Sequence, residues 1–374
     1  MQQHDLSLSL HSFNLYFQSH RAEIDGKATA HLVRFIEGAQ KSIDCAIYDL
    51  KHPDVLKSLK RVSEKKKLRI AYDGGTKVVT GDTKNDPKPP GTEEALRQFG
   101  LLDFATPVHE PGGHLMHSKY IVRDGVSVWT GSGNWTHGGL ELQDNNFLAI
   151  DSPELAASYE KNFEHIVKGS RTPGKPAKTP IPAIKVSEVD IQPFFSGHGT
   201  ELIEDRIASL IKKAKKIRII AMLISDPGIL DALAKFRPSE MDVLGILDPH
   251  EMAQVMKPAR GKAKDPSLFW FSEGDKRFVA APSHAFSQTD NNDFMHNKVM
   301  IFDDQTVVAG SYNFSENAES NDENVVVLNA APVAKAYTKY FEALWTQYRK
   351  HGAPLPPVSI AEPAVAHEEE LAPV

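Results

Sequence analysis

The sequence predicts a two-domain α/β protein, because one unit occurs twice and because helical and strand-like patterns alternate within each copy. The first copy contains AQKSIDCAIYDLKHPDVL, starting at Ala39, and the second contains AKKIRIIAMLISDPGIL, starting at Ala214. A chain of 374 residues is long enough for two such domains, each with its own core.

The elements of the first copy follow in a clear order. KATAHLVRFIEGAQ has apolar residues at helical spacing, IDCAIYDL is typical of a buried strand, HPDVLKSLKRVSEKK predicts a second helix, and LRIAYDG a second strand. An amphipathic helix ends each copy, SPELAASYEKNFEHIV in the first and APVAKAYTKYFEALWTQYR in the second, and Ser152 is the expected N-cap of the first. This alternation favours helices on both faces of a sheet.

The domain boundaries follow from composition. Residues 1–168 form the first predicted domain and residues 186–352 the second. The proline- and lysine-rich stretch 169–185 between them is typical of a linker. Residues 353–374, rich in Pro, Ala and Glu, are expected to be a disordered tail.

Composition narrows the class of protein. Apolar content of 41% and charged content of 25% are typical of a soluble globular protein, and a net charge of −6 argues against a general nucleic-acid binder. The single cysteine, Cys45, excludes an intramolecular disulfide and a thiolate metal cluster. The first residues lack the pattern of a secretory signal, and no apolar run approaches the ~18 residues of a membrane span. We therefore expect a cytoplasmic protein.

One motif is present in both copies. HSKYIVRDGVSVWTGSGN covers residues 117–134 and HNKVMIFDDQTVVAGSYN covers residues 296–313. Each reads His-x-Lys, then Asp after four residues, then Gly-Ser-x-Asn after six more. The pattern predicts two strands joined by a turn at the Asp. Alternate residues of a strand share a face, so each motif presents its His and Lys together.

The doubled motif resembles the signature of the phospholipase D superfamily, and the resemblance extends over most of residues 14–350. It implies two duplicated domains around a pseudo-twofold axis, with one active site inside a single chain and no obligate protein partner. It further implies phosphodiester cleavage through a phosphohistidine, with His117 as the nucleophile and His296 as the general acid and base. The motif residues expected to be catalytic are His117, Lys119, Asp124, His296, Lys298 and Asp303.

The remaining motif residues suit an anion site. A Lys, a Ser and an Asn from each copy offer positive charge and short neutral donors for a phosphodiester. The predicted phosphate-binding residues are Ser132, Asn134, Ser311 and Asn313. We expect no metal and no cofactor, since the two lysines supply the charge that a metal ion supplies elsewhere.

An acid downstream of each motif is expected to orient a histidine, as the resemblance implies. NDENVVVL offers Glu323 or Asp322 in the second copy. QDNNFLAI offers only Asp144 in the first, because Asn145 aligns with Glu323. If Glu323 alone supports the histidine of its own copy, His296 is the stronger nucleophile. The turn acids Asp124 and Asp303 fit structural ion pairs better than proton transfer.

Three functions remain open at this stage. The favoured one is hydrolysis of a glycerophospholipid, because KPARGKAKDPSLFWF combines basic and aromatic residues that suit a membrane surface. The second is metal-independent cleavage of DNA or RNA, which the basic stretches of the sequence favour. The third is transfer of a phosphatidyl group to an alcohol.

Overall fold

The computed structural model describes residues 4–75, 91–169, 181–196, 203–235, 241–257, 271, 277–285 and 292–351. The predicted tail, residues 170–180 of the predicted linker and the basic stretch 258–270 lie outside the described residues.

The first half contains nine strands and four α-helices among its described residues. The strands are β1 (Leu8–Leu10), β2 (Phe13–Ser19), β3 (Ile24–Asp25), β4 (Ser42–Ile47), β5 (Lys67–Asp73), β6 (Ala105–Val108), β7 (Lys119–Arg123), β8 (Ser127–Gly131) and β9 (Asn145–Asp151). The helices are α1 (Ala28–Glu37), α2 (Pro53–Ser63), α3 (Thr92–Gln98) and α4 (Pro153–Lys168).

The second half repeats this order over its described part. Its strands are β10 (Ile184–Val186), β11 (Val189–Phe195), β12 (Lys216–Ala221), β13 (Asp242–Leu247), β14 (Phe278–Ala280), β15 (Lys298–Phe302), β16 (Thr306–Gly310) and β17 (Asn324–Asn329). Its helices are α5 (Ile203–Ile211), α6 (Pro227–Ala234), α7 (Pro249–Met256), α8 (Glu316–Glu319) and α9 (Ala331–His351). Strand β10 begins inside the stretch that the sequence predicts to be linker.

The two halves have the same sheet topology across the described residues. The first sheet has the order β1-β2-β9-β8-β7-β4-β5-β6, with β3 beside β2, and the second has the order β10-β11-β17-β16-β15-β12-β13-β14. In each sheet the last three strands of that order run parallel, and the other pairs are antiparallel. The duplicated α/β architecture that the sequence predicts is confirmed.

Local sequence explains where the main elements begin and turn. Ser152 caps α4, because its hydroxyl accepts the backbone N–H of Leu155 at 3.2 Å, and Pro153 follows at the start of the helix. Asp226 caps α6 in the same way, accepting from Ile229 at 3.0 Å. Asp124 has a φ of 57° between β7 and β8, a backbone conformation that Asp tolerates better than most residues.

The helices that end each half lie between the two sheets. Helix α4 packs on β4, β7 and β8, and helix α9 packs on β12, β15 and β16. Their apolar side chains belong to one buried cluster that contains residues of both sheets. Phe17 of β2 stacks on Tyr340 of α9 with ring centres 4.4 Å apart, which joins the first sheet to the last helix. The two halves therefore share a core.

The outer faces of the sheets are covered separately. Helices α1 and α2 form a second core with the first sheet, and α5 and α6 form a third with the second sheet. Within the described residues, no helix combines the length and apolar composition that crossing a membrane requires.

Gly310 is expected to be intolerant of a side chain. A Cβ there would lie 2.2 Å from the backbone oxygen of Asn324, so β16 and β17 would have to separate. We expect Gly310→Ala to destabilise the protein by about 1–3 kcal/mol. Urea unfolding followed by circular dichroism measures the change. Gly38→Ala is the control, since the nearest atom to its new Cβ is the tip of a flexible arginine. Equal midpoints for both variants would contradict this prediction.

Candidate active site

The two motif histidines lie at the same edge of their sheets, where the halves meet. His117 stands two residues before β7 and His296 two residues before β15. The backbone N–H of His117 donates to the carbonyl of Asp322 at 3.0 Å, and that of His296 donates to the carbonyl of Asp144 at 3.2 Å. Each motif is thus bonded to the other half, as a pseudo-twofold arrangement requires. Both side chains are buried.

The Glu323 carboxylate holds the histidine of the opposite half. The Nδ1–H of His117 donates to the two carboxylate oxygens of Glu323 at 2.8 and 3.0 Å. Ser311 Oγ also donates to this carboxylate at 2.6 Å, and Asn321 Nδ2 donates at 3.2 Å. The pairing of Glu323 with the histidine of its own copy, expected from sequence, is wrong. The contact fixes the Nδ1–H tautomer of His117 and leaves Nε2 as the reactive nitrogen.

The partner of His296 is an amide instead of a carboxylate. The Nδ1–H of His296 donates to Asn145 Oδ1 at 3.1 Å. Asn145 Nδ2 donates to the carbonyl of Gly139 at 2.9 Å, which fixes the orientation of the amide. The crossed arrangement is therefore the same as for His117, but His296 lacks a negative charge behind it.

The two motif lysines are buried beside the histidines. Lys119 Nζ donates to the carbonyl of His117 at 2.6 Å, and Lys298 Nζ donates to the carbonyl of His296 at 2.5 Å. Burial lowers the pKa of Lys119 to about 7, and burial together with Lys119 lowers the pKa of Lys298 well below its usual range. An anion placed between the two lysines would favour their charged forms.

The histidines are also shifted toward their neutral forms. Burial lowers the pKa of His117 to about 4, although the Glu323 carboxylate opposes the shift. Burial, with Lys298 and Lys119 nearby, lowers the pKa of His296 well below its usual value. A neutral imidazole is the form that attacks an electrophile, so these shifts favour nucleophilic chemistry at the site. Protonation of His296 is favoured once a phosphodiester anion offsets the lysine charges.

The motif serines do not point at an anion. Ser132 Oγ donates to Asn145 Oδ1 at 2.7 Å, as Ser311 does to Glu323, and both serines are fully buried. The phosphate-binding role expected for Ser132 and Ser311 is therefore corrected: each hydroxyl holds the group that orients a histidine. Asn134 and Asn313 are half-buried, and their amide oxygens bond to none of the described residues.

Comparison with known protein families gives a match in both halves of the chain. The family described as "Cardiolipin synthase, PLD-like domain" matches residues 32–167 and again residues 207–345, most of the chain and both halves. This chain belongs to the phospholipase D superfamily.

The curated relatives match a shorter part of the chain than the family does. The "Mitochondrial cardiolipin hydrolase" of Xenopus laevis is 27% identical over 139 residues, which are 37% of this chain and 60% of that protein. The protein of the same name from Xenopus tropicalis is 32% identical over 140 residues, again 37% of this chain and 60% of that protein. The chain thus spans about 60% of the length of the curated relatives that it matches.

One solved structure matches nearly the whole chain. The phosphatidylserine synthase of Haemophilus influenzae Rd KW20 superimposes with a TM-score of 0.62, covering 96% of this chain and 91% of that one at 16% identity. At this level of identity the match shows that the fold is shared, and it covers both halves of the chain.

The motif aspartates lie away from the histidines. Asp124 accepts the backbone N–H groups of Gln40, Lys41 and Ser42, at 2.6–3.1 Å. Asp303 accepts from the backbone of Lys215 and Lys216, each at 2.9 Å. In each motif the lysine is the first residue of a five-residue strand and the aspartate follows its last residue. The strand is roughly 17 Å long, so each aspartate lies far from its motif lysine. The catalytic role expected for both is therefore corrected to the structural one that the turn positions favoured, and the groups they bond here are backbone N–H groups instead of the cations of an ion pair.

Asp144 does not orient a histidine side chain. Its carboxylate accepts from the hydroxyl of Tyr348, 2.8 Å from each oxygen, in a fully buried position. The position next along the chain, Asn145, takes the role that the sequence assigned to Asp144. Burial raises the pKa of Asp144 to about 7.

Asp144 is expected to make folding stability depend on pH. Its folded pKa of about 7 lies above the unfolded value, so its contribution is present at low pH and is lost as the pH rises through 7. Asp144→Asn should remove this loss, gaining up to about 4 kcal/mol on the parent protein between pH 4 and pH 8. Urea unfolding at several pH values measures the difference. A difference that is constant with pH would refute the assignment.

Tyr48 belongs to the site and was not singled out from sequence. Its ring lies edge-on to His117, with centres 4.9 Å apart, and Lys119 Nζ lies 5.2 Å from its centre. Burial raises the pKa of Tyr48, which keeps the phenol protonated. Its position directly after β4, a strand beside β7, is the signal that could have identified it. Among the described residues, no group of three or more His, Cys, Asp or Glu is placed to hold a metal ion.

Proposed function

We propose that this protein hydrolyses a phosphodiester of a glycerophospholipid through a covalent phosphohistidine at His117. The observation that carries the proposal is the buried contact between His117 Nδ1 and Glu323, because it leaves Nε2 free to attack and places a negative charge behind the ring. His296, whose partner is neutral, is assigned the proton transfers.

The first step forms the covalent intermediate. Nε2 of His117 attacks phosphorus, and the bond from phosphorus to the leaving alcohol oxygen breaks. That oxygen takes a proton from Nε2 of His296 and departs as the alcohol. Glu323 stabilises the positive charge that develops on the His117 ring, and the two lysines offset the charge on the equatorial phosphoryl oxygens.

The second step reverses the roles around phosphorus. His296, now neutral, removes a proton from a water molecule that attacks phosphorus on the side vacated by the alcohol. The bond between phosphorus and His117 breaks, which restores the free imidazole and releases the phosphomonoester. An alcohol in place of water gives transfer of the phosphatidyl group.

The lipid substrate is supported by the relatives. Two curated relatives are named as cardiolipin hydrolases, and the description of the matching family names cardiolipin synthase. Both names concern a glycerophospholipid phosphodiester. We therefore favour a phospholipid over a nucleic acid for this chain.

One assay separates the two substrate classes. Purified protein is incubated in EDTA with cardiolipin and phosphatidylethanolamine vesicles together with DNA and RNA, and both the phospholipid products and the nucleic-acid lengths are measured. A variant carrying His117→Ala and His296→Ala is the blank. Phospholipid cleavage with intact nucleic acid is expected. Nucleic-acid cleavage with intact lipid would overturn the proposed substrate, and activity that needs added metal would overturn the mechanism.

A further inference from the structure

The residues that orient the two histidines stand in chemically different surroundings. Glu323 is contacted by hydrogen-bond donors, the Ser311 hydroxyl at 2.6 Å and Asn321 Nδ2 at 3.2 Å. The orientation of the Asn321 amide is fixed, because its Oδ1 accepts the backbone N–H of Leu115 at 2.9 Å. Donors that surround a carboxylate stabilise its charged form. This position of the second half is therefore suited to an acid.

The corresponding position of the first half is suited to an amide. Asn145 Nδ2 donates to the carbonyl of Gly139 at 2.9 Å and to Gln143 Oε1 at 3.3 Å. A backbone carbonyl can only accept, so the group that faces Gly139 must be a donor. A carboxylate in place of Asn145 would lose this bond and would set one of its oxygens against the carbonyl oxygen. The surroundings of Asn145 thus disfavour the acid that stands at position 323.

A local difference in backbone produces this contact. The motif asparagine and the orienting residue are 11 positions apart in the first half, from 134 to 145, and 10 apart in the second, from 313 to 323. A single π-helical turn, Gly138–Leu142, accommodates the extra residue, whereas the corresponding turn of the second half is α8. Such turns are frequent at functional sites. A Cβ on Gly139 would lie 2.2 Å from the backbone oxygen of Asn134, so glycine is required there.

The charges around His296 oppose a further positive charge. The groups that act on it or contact it are Lys298, Lys119, His117, the ring of Phe294 and the backbone of Ser132. The Glu323 carboxylate is bonded to the other histidine, and Glu251 acts on Lys298. The partner of the His296 Nδ1–H is the neutral Asn145. An imidazolium at His296 is therefore a stronger acid than one that has a carboxylate behind it.

We propose that Asn145 is a positioning residue that keeps the protonated His296 a strong acid, so that expulsion of an alkoxide leaving group is fastest below neutral pH. The inference rests on the proposed function and deepens it. The amide oxygen holds the Nδ1–H, and the proton on Nε2 passes to the leaving oxygen as that oxygen takes the electron pair of its bond to phosphorus. Because no carboxylate retains the Nε2 proton, His296 gives it up easily but carries it in few molecules at neutral pH.

The test uses the leaving group to isolate His296. Values of kcat/KM are measured between about pH 5 and about pH 8 for phosphatidylglycerol vesicles and for single-stranded DNA, whose leaving groups are alkoxides. They are compared with bis(p-nitrophenyl) phosphate, whose leaving group needs no proton. Ionisations that both reactions share, such as those of the two lysines, cancel in the ratio of the two kcat/KM values. In the parent protein this ratio is expected to fall by about tenfold or more over the range, as His296 loses its proton.

Asn145→Asp should move this fall upward by about one pH unit or more, because a carboxylate beside Nδ1 favours the imidazolium. At pH 7 the ratio should rise roughly three- to tenfold, since the larger protonated fraction outweighs the slower transfer from a weaker acid. Gln98→Glu, exposed on α3, makes the same change of charge and should leave the profile unchanged. A ratio that is independent of pH in the parent protein, or a profile that Asn145→Asp does not move, would refute the role of Asn145.

Nuclear magnetic resonance of ¹⁵N-histidine-labelled parent protein gives a readout that depends neither on activity nor on the folding of a variant. The His296 signals, assigned with His296→Asn, should show a neutral ring with its hydrogen on Nδ1 at about pH 6. A protonated His296 ring at that pH would overturn the inference. Cleavage of DNA alone would overturn the lipid substrate, and the ratio for DNA would still test Asn145. Cleavage of bis(p-nitrophenyl) phosphate alone would overturn the lipid function, and the resonance measurement would still decide on Asn145.

Discussion

Replacement of His117 by Asn is expected to remove both steps of the reaction, whereas replacement of His296 by Asn is expected to spare the first step for an activated substrate. With a phospholipid, His117→Asn should lower kcat/KM by about 10⁴-fold or more, because no nucleophile remains. His296→Asn should lower it by roughly 10²–10⁴-fold, the range for loss of a general acid. The lipid assay alone does not tell the two roles apart.

A p-nitrophenyl phosphodiester tells them apart, because p-nitrophenol leaves without being protonated. In a stopped-flow experiment, His296→Asn should release one equivalent of p-nitrophenol per protein in a burst and then stall as the phosphohistidine. His117→Asn should give no burst. The intermediate should appear as a mass increase on the peptide that contains His117. A burst from His117→Asn, with the added mass on His296, would reverse the assignment.

The parts of the fold that could be predicted from the sequence are those encoded locally. Helix α4 could be predicted to within a few residues because Ser152 marks its start and its apolar residues recur at helical spacing. The turns after β7 and β15 could be predicted because Asp is a typical turn residue, and Asp124 and Asp303 both have a positive φ in the structure. The duplication itself was visible as repeated sequence, and it specified two sheets of the same topology.

The crossed pairing of the site was missed because it depends on how the halves pack. Within the second sheet, β16 lies between β15 and β17, so the start of β17 is about 10 Å from the start of β15. Two strand spacings thus separate Glu323 from the histidine of its own half, and the facing half brings the His117 ring to 2.8 Å from its carboxylate. The same geometry places Ser311, at the end of β16, next to Glu323. Strand order within one sheet accounts for the Ser311 contact, whereas the His117 contact also requires the packing of the two halves.

Glu323→Gln is expected to lower kcat by roughly 10³–10⁴-fold, as loss of a carboxylate behind a catalytic histidine does in other enzymes. The amide keeps the shape but removes the charge that stabilises the developing imidazolium of His117. An amide NH₂ turned toward the ring would also favour the wrong tautomer. KM should change little, because Glu323 is buried behind the ring and does not face the substrate.

The matched control is Asp144→Asn, which removes a buried carboxylate one residue away from Asn145 but in contact with Tyr348 and not with a histidine side chain. It should keep kcat within about threefold, since it removes no group from the reaction. Both variants replace an acid by its amide, so a general cost of the substitution would appear in both. An equal loss of kcat in the two variants would mean that Glu323 acts through stability alone. A large loss in Glu323→Gln only, with a retained thermal midpoint, establishes that the second half supplies the charge on which the nucleophile of the first half depends.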